Sequence, residues 1–281
     1  MGTCLLPQQI KAIQNVFKGS VDSTGNSLYS DWPYDAGIAD PKWMMWTIGA
    51  TLYVPGIPFP IPYVAQNTTQ GATTAMYLFS TPPDPSLNVF TASMDTLNTG
   101  INAANSTFTQ SAVDYMEASS TDLDTFAAHN GKIIYYHGES DPVFSMYDTV
   151  NYYESLSSRY GASTQNFARL SLVPGMNHCS GGLHTLDSFD PLTAIVTWAE
   201  KGIAPNSMIA GNSNPPTPTT VPPTPPFTYL LLTRTRPLCP YPQFAQYTGT
   251  GSSEDAANFT CAGPAVGVVI LTQPKATAPQ Q

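Results

Sequence analysis

An α/β fold with a parallel sheet is what this sequence predicts, and three observations predict it. Two apolar, β-rich runs, Ile133–His137 and Ala168–Val173, are cut off by Gly138 and by Pro174-Gly175. Each run leads into a loop with a chemically competent side chain, Asp141 in the first and His178 in the second. Each loop is followed by a run with helical character. The order strand, Asp loop, helix, strand, His loop, helix implies crossover connections, and crossovers set the strands parallel.

The elements are justified in turn. Ile133–His137 carries no formal charge and stops at a glycine, as a buried strand entering a turn does. Asp148–Arg159 places Val150, Tyr153 and Leu156 at three-residue steps, which suits an amphipathic helix. Asp148 is its expected N-cap and Gly161 its stop. Asp190–Lys201 is the second helix, with Leu192, Ile195, Val196 and Trp198 expected inward and Gly202 as the stop.

Upstream, Pro7–Lys18 reads as a short helix ended by Gly19. Gly19–Pro41 is turn-rich, with Tyr29, Trp32 and Tyr34 as expected anchors. Lys42–Trp46 is the densest aromatic cluster. Tyr53–Tyr63 alternates proline with apolar residues and is expected extended. Val89–Thr107 is polar and expected irregular. Ala112–Ala128, with Tyr115, Met116, Leu123 and Phe126, leads into the first strand. Downstream, residues 211–226 read as a Pro/Thr-rich linker. Phe227–Thr233 is an expected strand, and Pro274–Gln281 an expected disordered tail.

The bulk composition excludes some classes. Of 281 residues, 42% are hydrophobic, enough for a core, and only 10% are charged. The net charge of -9 leaves no basic patch for phosphates, so a nucleic-acid partner is not expected. No apolar run is long enough to span a bilayer, so no membrane partner is expected. The first residues show no signal peptide. Low charge with many Ser, Thr, Asn and Pro suits an extracellular surface, and Asn67, Asn105 and Asn258 open N-glycosylation triplets. Four cysteines allow two disulfides. His137, His178 and His184 show no metal-ligand spacing with them, and Asp31, Asp35 and Asp40 do not follow a calcium-loop spacing. No metal or cofactor is expected.

An acid after one strand and a histidine after the next is the tail of a Ser–Asp–His triad in α/β-hydrolase order. A serine hydroxyl is a weak nucleophile until a neutral imidazole takes its proton, and a carboxylate fixes that imidazole's tautomer. The same pattern also allows a plain turn at Asp141-Pro142 and an ordinary hydrogen-bonded loop histidine at 178.

Longer motifs add to this. The stretches His137-Gly-Glu-Ser-Asp-Pro-Val, Phe167-Ala-Arg-Leu-Ser-Leu-Val-Pro-Gly-Met-Asn-His-Cys-Ser-Gly-Gly and Asp190-Pro-Leu-Thr-Ala-Ile-Val-Thr-Trp-Ala-Glu-Lys-Gly closely resemble the tannase/feruloyl esterase family. So do Arg236-Pro-Leu-Cys-Pro-Tyr-Pro, Tyr247-Thr-Gly-Thr-Gly and Asp255-Ala-Ala-Asn-Phe-Thr-Cys. The resemblance implies a secreted serine esterase for aromatic, feruloyl- or galloyl-type esters, with an α/β-hydrolase core and an irregular lid. It implies Asp141 as triad acid, His178 as triad base and a Cys239–Cys261 disulfide. Cys179 would pair with a cysteine beside the nucleophile, and Cys4 with a partner upstream. Residues 1–118 would be part of the lid and 119–281 the C-terminal part of the core. Trp43 and Trp46 then become candidates for stacking on the substrate ring, against the plainer reading that they fill the lid's own core.

The family's Gly-Cys-Ser-x-Gly-Gly nucleophile elbow does not occur in this sequence. Cys179-Ser180-Gly181-Gly182 resembles it but sits in the histidine loop, not at a strand-to-helix elbow. The expectation is therefore the C-terminal half of an esterase, whose partner is the missing N-terminal half. The alternative is a truncated, catalytically inactive fragment or a non-catalytic binding protein.

Overall fold

The computed structural model describes residues 6–52, 61–182, 185–212 and 234–263. Its contacts form two units. One holds the described chain up to Tyr34 together with Pro41–Ser120; the other holds Asp35–Asp40 and the described residues from Thr121 onward. Expectations for Cys4, His184, most of the Pro/Thr-rich stretch, Phe227–Thr233 and the tail lie outside the described residues.

In the first unit, α1 (Pro7–Lys18) opens on a proline, where no N–H is needed, and ends at Gly19 with φ 74°. Its buried residue is Phe17. Tyr34 stacks on that ring at 4.2 Å and Trp43 of α2 (Pro41–Thr47) at 5.6 Å. β1 (Ala50–Leu52) and β2 (Ile61–Tyr63) pair antiparallel, and α3 (Gln66–Tyr77), α4 (Met94–Ile101) and α5 (Ala112–Met116) follow.

Two expectations need correction here. Val89–Thr107 is not irregular throughout, because α4 lies within it. The Ser93 hydroxyl accepts from the Thr96 N–H at 3.0 Å, and Asp95 sits in the first turn, where a negative charge suits the helix dipole. Met94, Leu97 and Ile101 share one face of this eight-residue helix, but the stripe is short and none of its residues is buried. Tyr34 is no core anchor either: it is 72% exposed, resting on Phe17 by its ring face.

The second unit runs α6 (Asp124–Ala128), β3 (Ile133–Gly138), α7 (Met146–Tyr160), β4 (Ala168–Val173), α8 (Pro191–Lys201), β5 (Met208–Gly211), β6 (Thr235–Leu238), β7 (Phe244–Tyr247) and β8 (Phe259–Ala262). β3 and β4 are parallel, in register from Ile133 opposite Ala168 to Gly138 opposite Val173. β5–β6 and β7–β8 are antiparallel pairs. The Tyr241 N–H donates to the Leu170 carbonyl at 2.7 Å, so the chain after β6 lies along the second edge of β4. Cys239 and Cys261 are disulfide-bonded, with Cα atoms 5.5 Å apart.

One core cluster joins α7 to β4: Val150, Tyr153, Phe167, Ala168 and Leu170. Burying Val150, Phe167 and Leu170 stabilises by about 1.5–3 kcal/mol each. The Tyr153 hydroxyl donates to the Ala168 carbonyl at 3.1 Å, so its polar tip is satisfied. A second cluster holds Val173, Met176, Leu186, Met208, Ala210 and Leu238. The two clusters anchor the ends of β4, and with them the loop that carries His178.

The helices differ from expectation in detail. α7 is capped by Ser145, whose hydroxyl accepts from the Tyr147 N–H at 3.2 Å; Asp148 falls in the first turn instead, where its charge still favours the helix. α8 is capped by Asp190 and stopped by Gly202 in the left-handed conformation. Its expected inward face is only partly inward. Trp198 is buried, but Leu192 is 70% and Val196 41% exposed. β3 has no second strand partner among the described residues, so nothing there extends the sheet beneath this helix.

Candidate active site

Asp141 comes from the turn that ends β3, and its N–H donates back to the Gly138 carbonyl at 3.2 Å. Gly138 is needed at that corner because a Cβ would run into the carbonyl oxygens of Met176 and Asn177. That close approach brings the Asp turn against the histidine loop. Two backbone bonds fasten the loops there: Glu139 N–H to the Val173 carbonyl at 3.0 Å and Ser140 N–H to the Met176 carbonyl at 3.1 Å.

His178 comes from the loop after β4. The loop folds back on itself, the Asn177 N–H donating to the Gly181 carbonyl at 2.8 Å. Asp187 holds it from outside, accepting from the Gly181 N–H at 2.7 Å. At Gly182, φ is 121° and a Cβ would collide with the Gly175 carbonyl, so only glycine closes this loop. Cys179 takes φ 62° in the same loop and carries a free, exposed thiol. The Cys179-Ser180-Gly181-Gly182 stretch is therefore a closed loop, and none of its residues lies in a helix or strand.

The structure brings the two predicted residues together. His178 Nδ1 lies 2.9 Å from Asp141 Oδ2. A carboxylate only accepts, so Nδ1 carries the proton and the Nε2 lone pair is left for chemistry. Asp141 is 4% exposed, whereas the His178 side chain is 46% exposed. Asp141 Oδ1 accepts from the N–H groups of Val143 at 2.7 Å and Phe144 at 3.1 Å. Burial alone would push this carboxyl up. The hydrogen bonds from His137 and His178 and those two backbone donors reverse that and hold it below the usual carboxylate range. A buried acid kept ionised beside a half-exposed imidazole can fix a tautomer and stabilise the imidazolium that forms when Nε2 takes a proton.

Sequence reasoning missed three neighbours. His137 places Nε2 3.5 Å from the same Asp141 oxygen. Phe144 sets its ring edge-on to His178 at 5.6 Å and is 54% exposed. Asp35 reaches the base of both loops, accepting from the Gly175 N–H at 3.0 Å and from the Ser140 hydroxyl. His137 and Phe144 flank the motif and were within reach of a closer reading; Asp35 left no local signal. Glu139 touches neither member of the pair, and its carboxyl is pushed up to about 7 by burial and by the charge on Asp35. Trp43 is 4% exposed with its ring stacked on Phe17, and Trp46 is half-buried. Among the described residues, no hydroxyl is hydrogen-bonded to His178.

The parallel strands thus carry an aspartate after one and a histidine after the next, hydrogen-bonded to each other. The comparisons agree on the scaffold. Residues 2–262 match the sequence pattern described as tannase and feruloyl esterase, and the chain belongs to that family. It is 39% identical over 278 residues to the mono(2-hydroxyethyl) terephthalate hydrolase of Piscinibacter sakaiensis, covering 93% of this chain and 42% of that protein. A probable feruloyl esterase of Arthroderma benhamiae is 31% identical over 147 residues, covering 51% of this chain and 25% of that one. The fold is similar to the crystal structure of feruloyl esterase B from Aspergillus oryzae, with TM-score 0.63 and 21% identity over 92% of this chain and 47% of that chain. The chain spans less than half the length of each of these relatives.

Proposed function

We propose that this chain supplies the acid and base of a carboxylic ester hydrolase acting on aromatic esters of the feruloyl or galloyl kind. The observation that carries this is the 2.9 Å contact between His178 Nδ1 and a buried, ionised Asp141. His178 Nε2 accepts the proton of an attacking serine, then returns it to the leaving alcohol. Asp141 holds the imidazole in the productive tautomer throughout. The serine forms an acyl-enzyme, and water, activated by the same imidazole, releases the acid. The nucleophile comes from a polypeptide segment carrying the Gly-Cys-Ser-x-Gly-Gly elbow that this sequence lacks. Secretion fits the disulfide and the weakly charged surface. We further propose residues 1–118 as part of the lid, 119–281 as part of the core, and Trp43 or Trp46 as the residue that stacks on the acyl ring of the substrate.

The second reading, a non-catalytic chain, is favoured by the absence of a hydroxyl on His178 among the described residues. One experiment separates them. The chain is joined to an elbow-bearing segment from a relative, and turnover of methyl ferulate and methyl gallate is measured with and without His178→Ala. Turnover that depends on His178 supports the esterase; a correctly folded, inert fusion sinks it. The chain by itself is expected to be inert, and a rate that vanishes on Ser180→Ala would instead make Ser180 the nucleophile.

A further inference from the structure

We propose that Asp35 is a positioning residue for the Asp141–His178 pair, its Oδ1 holding the turn of one and the loop of the other. The proposal rests on reading that pair as acid and base. A single oxygen of Asp35 accepts three donors: the Gly37 N–H at 3.1 Å, the Gly175 N–H at 3.0 Å and the Ser140 hydroxyl. Ser140 is 2% exposed and directly precedes Asp141. Gly175 is where the histidine loop leaves β4, three residues before His178.

The fit around this oxygen is close. A Cβ on Gly37 would stand 2.5 Å from both the Gly175 carbonyl oxygen and the Ser140 Oγ. The segment Asp35–Asp40 therefore lies in the notch between the two loops with no space to spare. Hydrogen bonds to a carboxylate are roughly twice as strong as neutral ones, so this clamp outweighs an ordinary loop contact. The backbone bonds from Glu139 and Ser140 already join the strand ends. Asp35 adds the tie beyond them, on the residue beside the acid and at the root of the base's loop. Removing it frees both loops to drift apart while β3, β4 and their register stay intact.

The test is made on the whole chain with 15N-labelled histidine, following solvent exchange of the His178 Nδ1–H by NMR alongside the melting temperature. The resonance is assigned as the one lost in His178→Gln. Asp35→Ala and Ser140→Ala are expected to speed that exchange by about tenfold or more, the loss of one charge-assisted hydrogen bond. Asp35→Asn keeps an acceptor oxygen at the same place without the charge and is expected to exchange at a rate between the parent and Asp35→Ala. Tyr241→Phe, which removes a 2.7 Å bond to Glu154 elsewhere in the unit, is expected to lower the melting temperature without touching the signal. The proposal is overturned if both Asp35→Ala and Ser140→Ala leave the exchange unchanged, or if Tyr241→Phe speeds it equally. Should Asp35→Ala fail to fold, Ser140→Ala carries the same test. Asp141→Asn must change the signal; if it does not, the pairing beneath the proposed function has failed, whatever Asp35 does.

Discussion

His137 Nε2 lies 3.0 Å from the carbonyl oxygen of Phe144. A carbonyl only accepts, so Nε2 holds the proton and Nδ1 is left facing the Thr149 hydroxyl at 2.8 Å. The imidazole thus closes the turn that carries Asp141 on itself, from the strand side to the helix side. His137→Ala is expected to loosen the acid without removing it. The measurement is turnover in the elbow-bearing fusion, where a loss of up to about 10²-fold with little change in KM is expected, since small misplacements of a catalytic group act on the transition state. Unchanged turnover would show that the turn is held without it.

Asp141 and His178 should fail unequally. His178→Ala removes the proton acceptor, and turnover falls to what binding and the oxyanion hole leave. Asp141→Asn permits the wrong tautomer, a change that costs about 10⁴-fold in turnover in a serine protease triad. The double variant should be little worse than His178→Ala, because the two act as a unit. Glu139→Gln is the control in the same turn and should keep most activity. If Asp141→Asn stays within about tenfold of the parent while Glu139→Gln or Asp187→Asn collapses, the acid is misassigned.

Glu139 carries a pH signature of its own. Its carboxyl is raised from the usual 4.5 to about 7, by burial first and Asp35 second. The folded state therefore keeps the proton longer than the unfolded one, and stability falls as pH rises from about 4.5 to about 7, then levels off. At 1.36 kcal/mol per pKa unit the full loss is on the order of 3 kcal/mol. Urea unfolding should find Glu139→Gln more stable than the parent at pH 8 and nearly equal to it at pH 4. Equal stability at both would mean the carboxyl is not held out of water.

The Cys239–Cys261 disulfide closes a loop with a sequence separation of 22 residues. Its removal by Cys239→Ala with Cys261→Ala should cost roughly 3 kcal/mol in the chain-entropy picture. Peptide mapping without reduction should recover the linked pair, and a Cys179–Cys239 link would overturn the assignment.

What could be read beforehand follows a physical divide. Ile133–His137 and Ala168–Val173 were legible because a strand's character is written in its own residues. Asp141 and His178 were legible because each sits just past such a strand. The disulfide came through the resemblance at Cys239 and Cys261. Interactions that join distant residues were not legible. Nothing near Asp35 announces that it meets Ser140 and Gly175, and nothing in Leu192 or Val196 says whether a neighbour will cover them. The α4 helix was missed for a different reason: its stripe of Met94, Leu97 and Ile101 is only two turns long and set among polar residues, and its start is fixed by the Ser93 cap.

The placement of Asp35 bears on the order in which this protein can assemble. Its bonds to Ser140 and Gly175 span 105 and 140 residues. Closing so long a span carries an entropic cost that local pairing avoids, and contacts of this separation slow folding. On the ribosome the clamp is made long before there is anything for it to hold. β3, α7 and β4 can pair among themselves as they emerge, and the final placing of Asp141 against His178 then waits on the return of a six-residue segment translated before them. Cutting the chain after Ser120 to isolate the later unit would leave that segment behind, yielding a fragment with sound strands and a slack site.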